Sequence, residues 1–242
     1  MYNIMKDIPV IMDYDKCQIA CVGDLHTGKT TLTKTYVEYG KYLPPETRLN
    51  SCMRIEYDCM IKTVDDVKVK MFIWDTAGQE RFESILKSCY RNKDIVMIIY
   101  SVTNKLSFDN IKDIWYKQVK QYCHPLTQNS TELGKLTYKP IVILVGTKCD
   151  TVSISTGDIS GEGAEHKGER QVSYEQGLSL ADELDVPFFE VSAKNMTNVN
   201  ELFDFCAMSY IAQKTQKIKV DRKDQSISQP NFLGKVMSYF SS

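Results

Sequence analysis

One short segment near the N-terminus constrains the fold of this chain more than any other. Residues 23–30 read Gly-Asp-Leu-His-Thr-Gly-Lys-Thr, with the spaced glycines, lysine and hydroxyl residue typical of phosphate-binding loops. A predicted strand, 18–22, precedes the segment and a predicted helix, 29–39, follows it. Backbone N–H groups at such a helix N-terminus surround phosphate, Lys29 reaches the β- and γ-phosphates, and the Thr30 hydroxyl faces Mg²⁺. A glycine-containing turn without a ligand is the alternative at this point.

Apolar runs of strand length alternate with longer amphipathic segments along the chain. The apolar runs predict buried strands at 18–22, 67–74, 95–102, 141–145 and 188–191. The amphipathic segments predict helices at 29–39, 107–122, 173–184 and 199–213. A strand at 53–64, joined to the next by Asp65-Asp66, predicts an antiparallel hairpin at the sheet edge. The pattern favours an α/β fold with a mostly parallel central sheet of about six strands, one antiparallel edge strand and helices on both faces.

Length and shifts in composition predict one nucleotide-binding domain with additions. The 242 residues fit one large domain plus a tail. We expect an N-terminal extension over 1–15, the domain over 16–213 and a C-terminal tail over 214–242. Two stretches rich in turn and polar residues, 125–139 and 151–170, predict inserted surface loops.

Charge and cysteine usage exclude several classes of protein. The chain has 30 Lys+Arg against 31 Asp+Glu and a formal net charge of -1, so no global field recruits nucleic acid or an acidic membrane surface. No apolar run approaches the roughly 18 residues that span a bilayer, and charges within 1–15 interrupt any signal-peptide core. The eight cysteines have no spacing typical of metal sites, which predicts reduced thiols in a cytosolic protein.

A second motif follows the predicted strand at 67–74. Residues 74–80 read Trp-Asp-Thr-Ala-Gly-Gln-Glu. In this position Asp75 is placed to hold Mg²⁺ through water, and the Gly78 N–H is placed to sense a γ-phosphate. Gln79 is placed to orient an attacking water, which makes it the candidate catalytic residue.

These residues resemble the Ras superfamily of small GTPases, and the continuation Arg81-Phe82 looks like its Rab branch. Two later motifs agree: residues 146–150, Gly-Thr-Lys-Cys-Asp, and residues 191–194, Val-Ser-Ala-Lys, each after a predicted strand. The resemblance covers approximately residues 16–213 and predicts a small GTPase domain over that stretch. It implies the P-loop GTPase fold, GTP and GDP as ligands, Mg²⁺ as cofactor, and hydrolysis of GTP to GDP and phosphate.

The two later motifs imply a guanine site. The Asp150 carboxylate is suited to accept from the guanine N1–H and 2-amino group, which adenine does not offer in that arrangement. By resemblance, Lys148 lays its aliphatic stem along the purine ring, and the Ala193 N–H meets the guanine O6. The candidate nucleotide-binding residues are Gly23, Asp24, Leu25, His26, Thr27, Gly28, Lys29, Thr30, Thr31, Tyr42, Gly78, Thr147, Lys148, Asp150, Ser192, Ala193 and Lys194.

The first switch segment departs from the family pattern. Cys52 stands where the family has an invariant threonine, and a thiol is a poor ligand for a hard ion that prefers oxygen. By position in the family pattern, the candidate metal residues are Thr30, Asp75 and Cys52. Ser51 or Thr47 could replace Cys52 after a register shift.

Other departures lie close to the nucleotide. Tyr42 is assigned to the guanine edge, although nearby tyrosines are alternatives. Leu25 and His26 stand where the family mostly has Gly, Ser or Ala, and side chains of this size are expected to displace the water-orienting Gln79. We therefore expect slow or factor-dependent hydrolysis. Thr147 replaces the Asn usual in Rab and Ras proteins, a change that resembles the Rho branch and should preserve guanine binding.

The resemblance also implies partners and a location. Effectors, an exchange factor and a GTPase-activating protein are expected to read the switch regions, 52–57 and 78–90, in vesicle trafficking or signalling, with no nucleic-acid partner. The expected location is cytoplasmic, with peripheral attachment to the cytosolic face of an internal membrane left open. Rab-like proteins usually end in prenylated cysteines, and no cysteine follows Cys206, so membrane association would need another route.

Two other interpretations stay open from the sequence. A nucleotide-bound scaffold, or pseudo-GTPase without a regulated hydrolysis cycle, is favoured by Leu25, His26, Cys52 and Arg54. An ATP-using P-loop enzyme such as a kinase is disfavoured, because Asp150 and the motif at 192–194 fit guanine.

Overall fold

A single six-stranded sheet forms the centre of the protein. The computed structural model describes residues 14–38, 56–64, 66–76, 89–123, 139–151 and 169–222. The sheet order is β2-β3-β1-β4-β5-β6, and every neighbouring pair is parallel except the antiparallel pair β2 and β3. This arrangement confirms the predicted fold class. The strands are β1 (Asp15–Val22), β2 (Glu56–Val64), β3 (Val67–Asp75), β4 (Ile95–Ser101), β5 (Ile141–Thr147) and β6 (Phe188–Val191).

The strands differ in how many of their residues are buried, and this explains their different patterns of apolar residues. Strand β4 lies inside the sheet and all seven of its residues are buried, as expected of a parallel strand covered on both faces. Along β3 most residues alternate between buried and half-buried, because this strand belongs to the edge hairpin. The hairpin pairs Val64 with Val67, and Asp66 turns the chain with φ of 64°.

The helices follow the predicted order with two differences. The predicted helix at 107–122 begins earlier, at Lys105, and is interrupted by a π-helical turn. The last helix continues to Arg222, beyond its predicted end at residue 213. The helical elements are α1 (Lys29–Val37), α2 (Lys105–Asn110), the π-helical turn (Ile111–Tyr116), α3 (Lys117–Tyr122), α4 (Tyr174–Leu184) and α5 (Val199–Arg222).

Side chains at the helix starts explain two of these boundaries. The Asn104 side chain accepts from the Ser107 N–H at 3.2 Å and begins α2. Ser173 and Gln176 form a capping box, with each side chain bonded to the other residue's backbone. Such caps satisfy N–H groups that the first helical turn leaves unpaired.

Two apolar cores cover the two faces of the sheet. One contains Leu32 and Tyr36 of α1 together with Phe203 of α5, and the rings of Tyr36 and Phe203 stack with centroids 3.8 Å apart. The other contains Trp115 of the π-helical turn and Leu184 of α4. Helices therefore lie on both faces, as a doubly wound sheet requires.

Several sequence expectations concern residues outside this description. The extension 1–13, the segment 124–138 of the first predicted loop and the segment 152–168 of the second lie outside the described residues, as does 223–242 of the tail. The division of the chain at residues 15 and 213 therefore stays a prediction. Within the described residues, no helix is long and apolar enough to cross a bilayer.

Gly177 of α4 tests how tightly the second core is packed. A Cβ at this position would stand 2.4 Å from Phe188 Cζ and 2.5 Å from the Tyr100 hydroxyl oxygen. Glycine to alanine in a helix interior ordinarily stabilises by about 1 kcal/mol, but overpacking costs about 1–3 kcal/mol. We therefore expect Gly177→Ala to lower the free energy of unfolding, measured by urea denaturation. The exposed Ser179→Ala on the same helix is the control, and a stabilised Gly177→Ala variant would contradict the packing argument.

Candidate functional site

The carboxyl ends of the parallel strands bring the predicted motifs to one edge of the sheet. Strand β1 ends directly before Gly23, β3 ends at Asp75, β5 ends at Thr147 and β6 ends at Val191. In open α/β sheets this edge is where ligands bind. The predicted phosphate, magnesium and guanine motifs therefore start from neighbouring strand ends, although they are far apart in sequence.

Glycine is required at both ends of the loop at 23–28. At Gly23, φ is 144° and a Cβ would stand 2.0 Å from the carbonyl oxygen of Ile99 in β4, so a side chain there would collide with backbone. Gly28 has φ of 90° and begins α1 without a side-chain cap. The first N–H groups of α1 are thus left for an anion at the positive end of the helix dipole.

Lys29 carries the positive charge of this loop. Its side chain is buried, and Nζ donates to the carbonyl oxygens of Gly23 and Asp24, each at 2.6 Å. These bonds hold the ammonium against the loop backbone, and a positive charge in this position attracts an anion that enters the loop. The arrangement fits the predicted contact with phosphate.

Asp75 and Thr30 have the chemistry of a magnesium site. The Asp75 carboxylate is buried, its Oδ1 makes no hydrogen bond within the described residues, and the Thr30 hydroxyl lies in hydrogen-bonding reach. Burial raises the pKa of Asp75, while Thr30 and the Lys29 ammonium oppose that increase. An unsatisfied buried carboxylate oxygen beside a hydroxyl fits Mg²⁺, which prefers oxygen ligands and keeps several waters.

These two oxygen donors would not hold a metal ion by themselves. Across the described residues, no group of three or more His, Cys, Asp or Glu side chains is arranged as a metal site. Oxygens from the nucleotide and from water would complete the coordination of Mg²⁺. Cys52, the third candidate, lies outside the described residues.

The guanine motif is joined directly to the phosphate loop. The Thr147 hydroxyl lies within hydrogen-bonding distance of the Thr27 carbonyl oxygen and of the Tyr100 carbonyl oxygen, the latter at 3.0 Å. Lys148 adopts φ of 63° and its Nζ donates to the His26 carbonyl oxygen at 2.9 Å. The end of β5 therefore holds both sites at a fixed separation.

A serine orients the carboxylate that is predicted to read the base. Ser192 Oγ donates to Asp150 Oδ1 at 2.7 Å and accepts from the Lys194 N–H at 3.2 Å. The Cys149 N–H donates to the Val191 carbonyl oxygen at 3.3 Å. These bonds place Asp150 and the turn that contains Ala193 side by side.

Of the remaining predicted site residues, some are described by the structure and some are not. Thr31 lies in the first turn of α1, half-buried, and Leu25 is exposed, with 40% of its surface accessible. His26 adopts the left-handed backbone with φ of 61°, which costs a residue other than glycine roughly 1 kcal/mol. Tyr42, Gly78 and Gln79 lie outside the described residues, and their roles stay predictions.

Two pairs of residues near these loops were not predicted from the sequence. Asn110 and Trp115 both donate to the Asp24 carboxylate, at 2.6 Å and 2.7 Å. They are five residues apart, a spacing that does not place two side chains on one face of an α-helix. Arg170 makes a two-point ion pair with Glu190 of β6, at 2.9 Å and 2.6 Å. This pair anchors the end of the predicted loop at 151–170 to the sheet.

Taken together, the sheet edge and its loops define a P-loop nucleotide-binding α/β protein whose base loop has guanine chemistry. Residues 18–212 match the family model described as Ras family, and the chain belongs to that family. It is 34% identical over 216 residues to GTP-binding protein ypt2 of Schizosaccharomyces pombe, covering 88% of each chain.

Two further relatives agree on the branch of the family. The chain is 35% identical over 205 residues to Ras-related protein SEC4 of Saccharomyces cerevisiae, covering 84% of this chain and 78% of that one. It is 31% identical over 201 residues to Ras-related protein Rab-8B of Pongo abelii, covering 83% and 81%. Rab-like members of the Ras family are small GTPases that bind GDP and GTP with Mg²⁺ and act in vesicle trafficking, and this chain is one of them. Effectors, exchange factors and GTPase-activating proteins are the regulatory partners of the family.

Substituting Asp75 separates the effect of its buried charge on stability from its proposed role in holding Mg²⁺. Asp75→Asn removes a buried charge whose pKa is raised. Such a carboxyl loses stability as the pH rises from its unfolded-state pKa to its raised folded-state pKa, and the full cost applies above the folded-state value. At neutral pH we expect the nucleotide-free variant to melt at a higher temperature than the original chain. We also expect EDTA to accelerate GDP release in the original chain but no longer in the variant.

Asp58→Asn is the matched control for this experiment. Asp58 pairs with Lys34 at 3.3 Å across α1 and β2, outside the proposed magnesium shell. We expect this variant to keep the response to EDTA. An undiminished response in Asp75→Asn would contradict the role given to Asp75.

Proposed function

We propose that this chain is a Rab-like switch whose phosphate loop, magnesium residues and guanine loop act as one rigid unit, and that it hydrolyses GTP slowly unless a partner assists. The hydrogen bonds from Thr147 and Lys148 to the carbonyls of Thr27 and His26 carry this proposal. They tie the base site to the phosphate site, so a nucleotide that fits one is positioned in the other. We further propose that the chain works in the cytoplasm, peripherally on the cytosolic face of an internal membrane.

Each part of the site has a separate task in binding. The first N–H groups of α1 and the Lys29 ammonium receive the β- and γ-phosphates. Thr30 supplies a hydroxyl and Asp75 a carboxylate to the magnesium shell, and Mg²⁺ there neutralises phosphate charge. Asp150, oriented by Ser192, accepts from the N1–H and 2-amino group of guanine. Differential contacts with the γ-phosphate then bias the switch regions, 52–57 and 78–90, which partners read.

Two residues of the loop support slow hydrolysis. By resemblance to the family, Leu25 and His26 stand next to the place where a water and the proposed catalytic residue Gln79 would approach the γ-phosphate. Leu25 is exposed, so its side chain extends from the loop rather than into a core. Phosphoryl transfer depends on positioning more than on covalent chemistry, and small displacements of an attacking water therefore slow it strongly.

Base selectivity tests the binding part of the proposal. Inosine diphosphate lacks the 2-amino group of guanine, so a carboxylate at Asp150 should prefer GDP to inosine diphosphate. We expect the original chain to show this preference. In Asp150→Ala the ratio of the affinity for GDP to the affinity for inosine diphosphate should fall about tenfold to a hundredfold, because one hydrogen bond to a charged group is lost. Competition against a fluorescent GDP analogue measures both affinities. Asp182→Ala, an exposed aspartate of α4, is the control, and an unchanged ratio in Asp150→Ala would refute the assignment.

Single-turnover hydrolysis of preloaded GTP tests the catalytic part. We expect slow conversion by the original chain and conversion about tenfold faster by the double variant Leu25→Gly/His26→Gly, because the path to the γ-phosphate is opened. Leu106→Ala, a more exposed leucine of α2, is the control and should leave the rate unchanged. Conversion by the original chain at a rate that the double variant does not exceed would contradict the role of Leu25 and His26.

A nucleotide-bound scaffold without a hydrolysis cycle is the second candidate. The strained φ of His26 favours it, since the Lys148 ammonium holds the carbonyl of that residue in the guanine site. Strain retained at a loop that binds a ligand indicates a conformation selected for binding. Guanine nucleotide bound by the purified protein, with no turnover in either the original chain or the double variant, would favour the scaffold.

A further inference from the structure

Asp24 of the phosphate loop is held through both its carbonyl and its side chain. Its carbonyl oxygen accepts from Lys29 Nζ at 2.6 Å and from Thr27 Oγ1 at 2.9 Å. Its carboxylate accepts from Asn110 Nδ2 at 2.6 Å and from Trp115 Nε1 at 2.7 Å. Asp24 thus connects the Lys29 ammonium to the segment that contains Asn110 and Trp115, and Trp115 packs in the second apolar core.

The π-helical turn is what brings the two side-chain donors together. Asn110 ends α2 and Trp115 lies within the turn, five residues later. In an α-helix, five residues correspond to about 500° of rotation, which would put the two side chains on different faces. The wider turn, with bonds from i to i+5, places them above one another. Such turns are frequent at functional sites and less favourable than regular helix.

Trp115 is fixed strongly enough to act as an anchor. Its side chain is 2% exposed and packs in the core that also contains Ile111 and Val119. A buried indole N–H without an acceptor costs free energy comparable to a lost hydrogen bond. The core therefore fixes the indole, and the indole fixes the Asp24 carboxylate.

An unattached carboxylate at position 24 would act against the ligand. Asp24 lies one residue after Gly23 in a loop that is proposed to surround phosphates, and like charges at short range repel. Two neutral donors that hold the carboxylate on the helical segment lower this repulsion and keep the Asp24 carbonyl on the Lys29 ammonium. Both effects favour a bound nucleotide.

We propose that Asn110 and Trp115 are positioning residues for nucleotide retention, brought to the Asp24 carboxylate by the π-helical turn. This proposal rests on the proposed function, because it assigns a role at the same phosphate loop. Neither residue needs to touch the nucleotide. Loss of either donor frees the carboxylate and loosens the peptide that Lys29 holds.

The rate of GDP release tests the proposal. In the full chain with Mg²⁺, a fluorescent GDP analogue is displaced by excess GDP, and we expect Trp115→Phe to release it about tenfold faster, in line with a hydrogen bond to a charged group. Asn110→Ala, at a half-buried position, should also accelerate release. This variant replaces Trp115→Phe in the test if Trp115→Phe folds poorly. Release at the original rate in both variants would overturn the proposal.

Tyr116→Phe is the matched control within the same turn. The Tyr116 hydroxyl donates to the Leu184 carbonyl oxygen of α4 at 3.0 Å, so this variant also removes one side-chain hydrogen bond, directed at a helix instead of the loop. We expect its melting temperature to fall while GDP release keeps the original rate. Equal acceleration in Tyr116→Phe and Trp115→Phe would show a general loosening of the turn and overturn the proposal.

A double-variant comparison gives a readout that stability alone would not move. Asp24→Asn keeps the size of the side chain but removes its charge, so Trp115→Phe should accelerate release less in that background than in the original chain. Additive effects of the two substitutions would overturn the proposal.

The indole N–H resonances give a readout that does not depend on the nucleotide. The chain has two tryptophans, and Trp115→Phe identifies the signal of Trp115 by its loss. Asp24→Asn should shift that signal and leave the signal of Trp74 in place, even in nucleotide-free protein. An original chain that binds no guanine nucleotide would refute the proposed function and, with it, the retention role, whereas an unshifted Trp115 signal would refute the contact alone.

Discussion

The buried ammonium of Lys29 is the charge around which the site is assembled. Its bonds to the carbonyl oxygens of Gly23 and Asp24 curl the loop, and the absence of a side chain at Gly23 lets that loop pass against the backbone of β4 at Ile99. Removing a cation of this kind from water is costly unless it gains close partners. The two carbonyl oxygens are close partners of this kind, and an anion in the loop would add another. The loop is therefore stabilised by the class of ligand it is built to bind.

The sheet determines where the other charges lie relative to this ammonium. Asp75 is the last residue of β3 and Thr147 is the last residue of β5. The parallel register of the strands therefore sets the distance between the loop that contains the magnesium residues and the loop that contains the guanine residues. The hairpin of β2 and β3 runs antiparallel, so Glu56 at the start of β2 pairs with Asp75 at the same edge. Ser192 at the end of β6 completes the arrangement by orienting Asp150.

The sequence was most informative where the chemistry is local. Strand and helix positions followed from apolar periodicity, and the loop at 23–30 followed from residue spacing. The motifs at 146–150 and 191–194 followed from the resemblance to small GTPases. Spacing alone does not reveal that Thr147 and Lys148 bond to the carbonyls of Thr27 and His26, because these contacts depend on the lateral order of strands. It also does not reveal the left-handed backbone of His26, since that conformation is unfavourable for histidine in isolation and is maintained by its surroundings. The predicted positions of Cys52, Tyr42 and Gln79 belong to segments outside the described residues and stay predictions.

The bond between Trp115 and Asp24 shows the limit of arguments from helical period. With an α-helical period, Asn110 and Trp115 point in different directions, and Trp115 is interpreted only as a core residue of an amphipathic helix. That interpretation is correct for the indole ring, which is buried among apolar side chains, and incomplete for its N–H. A buried N–H must find an acceptor, and Asp24, the acceptor here, stands 91 positions earlier. Because a buried tryptophan N–H requires an acceptor, its burial implies a polar partner without identifying it. The π-helical turn that brings Asn110 to the same partner is visible only in the folded backbone.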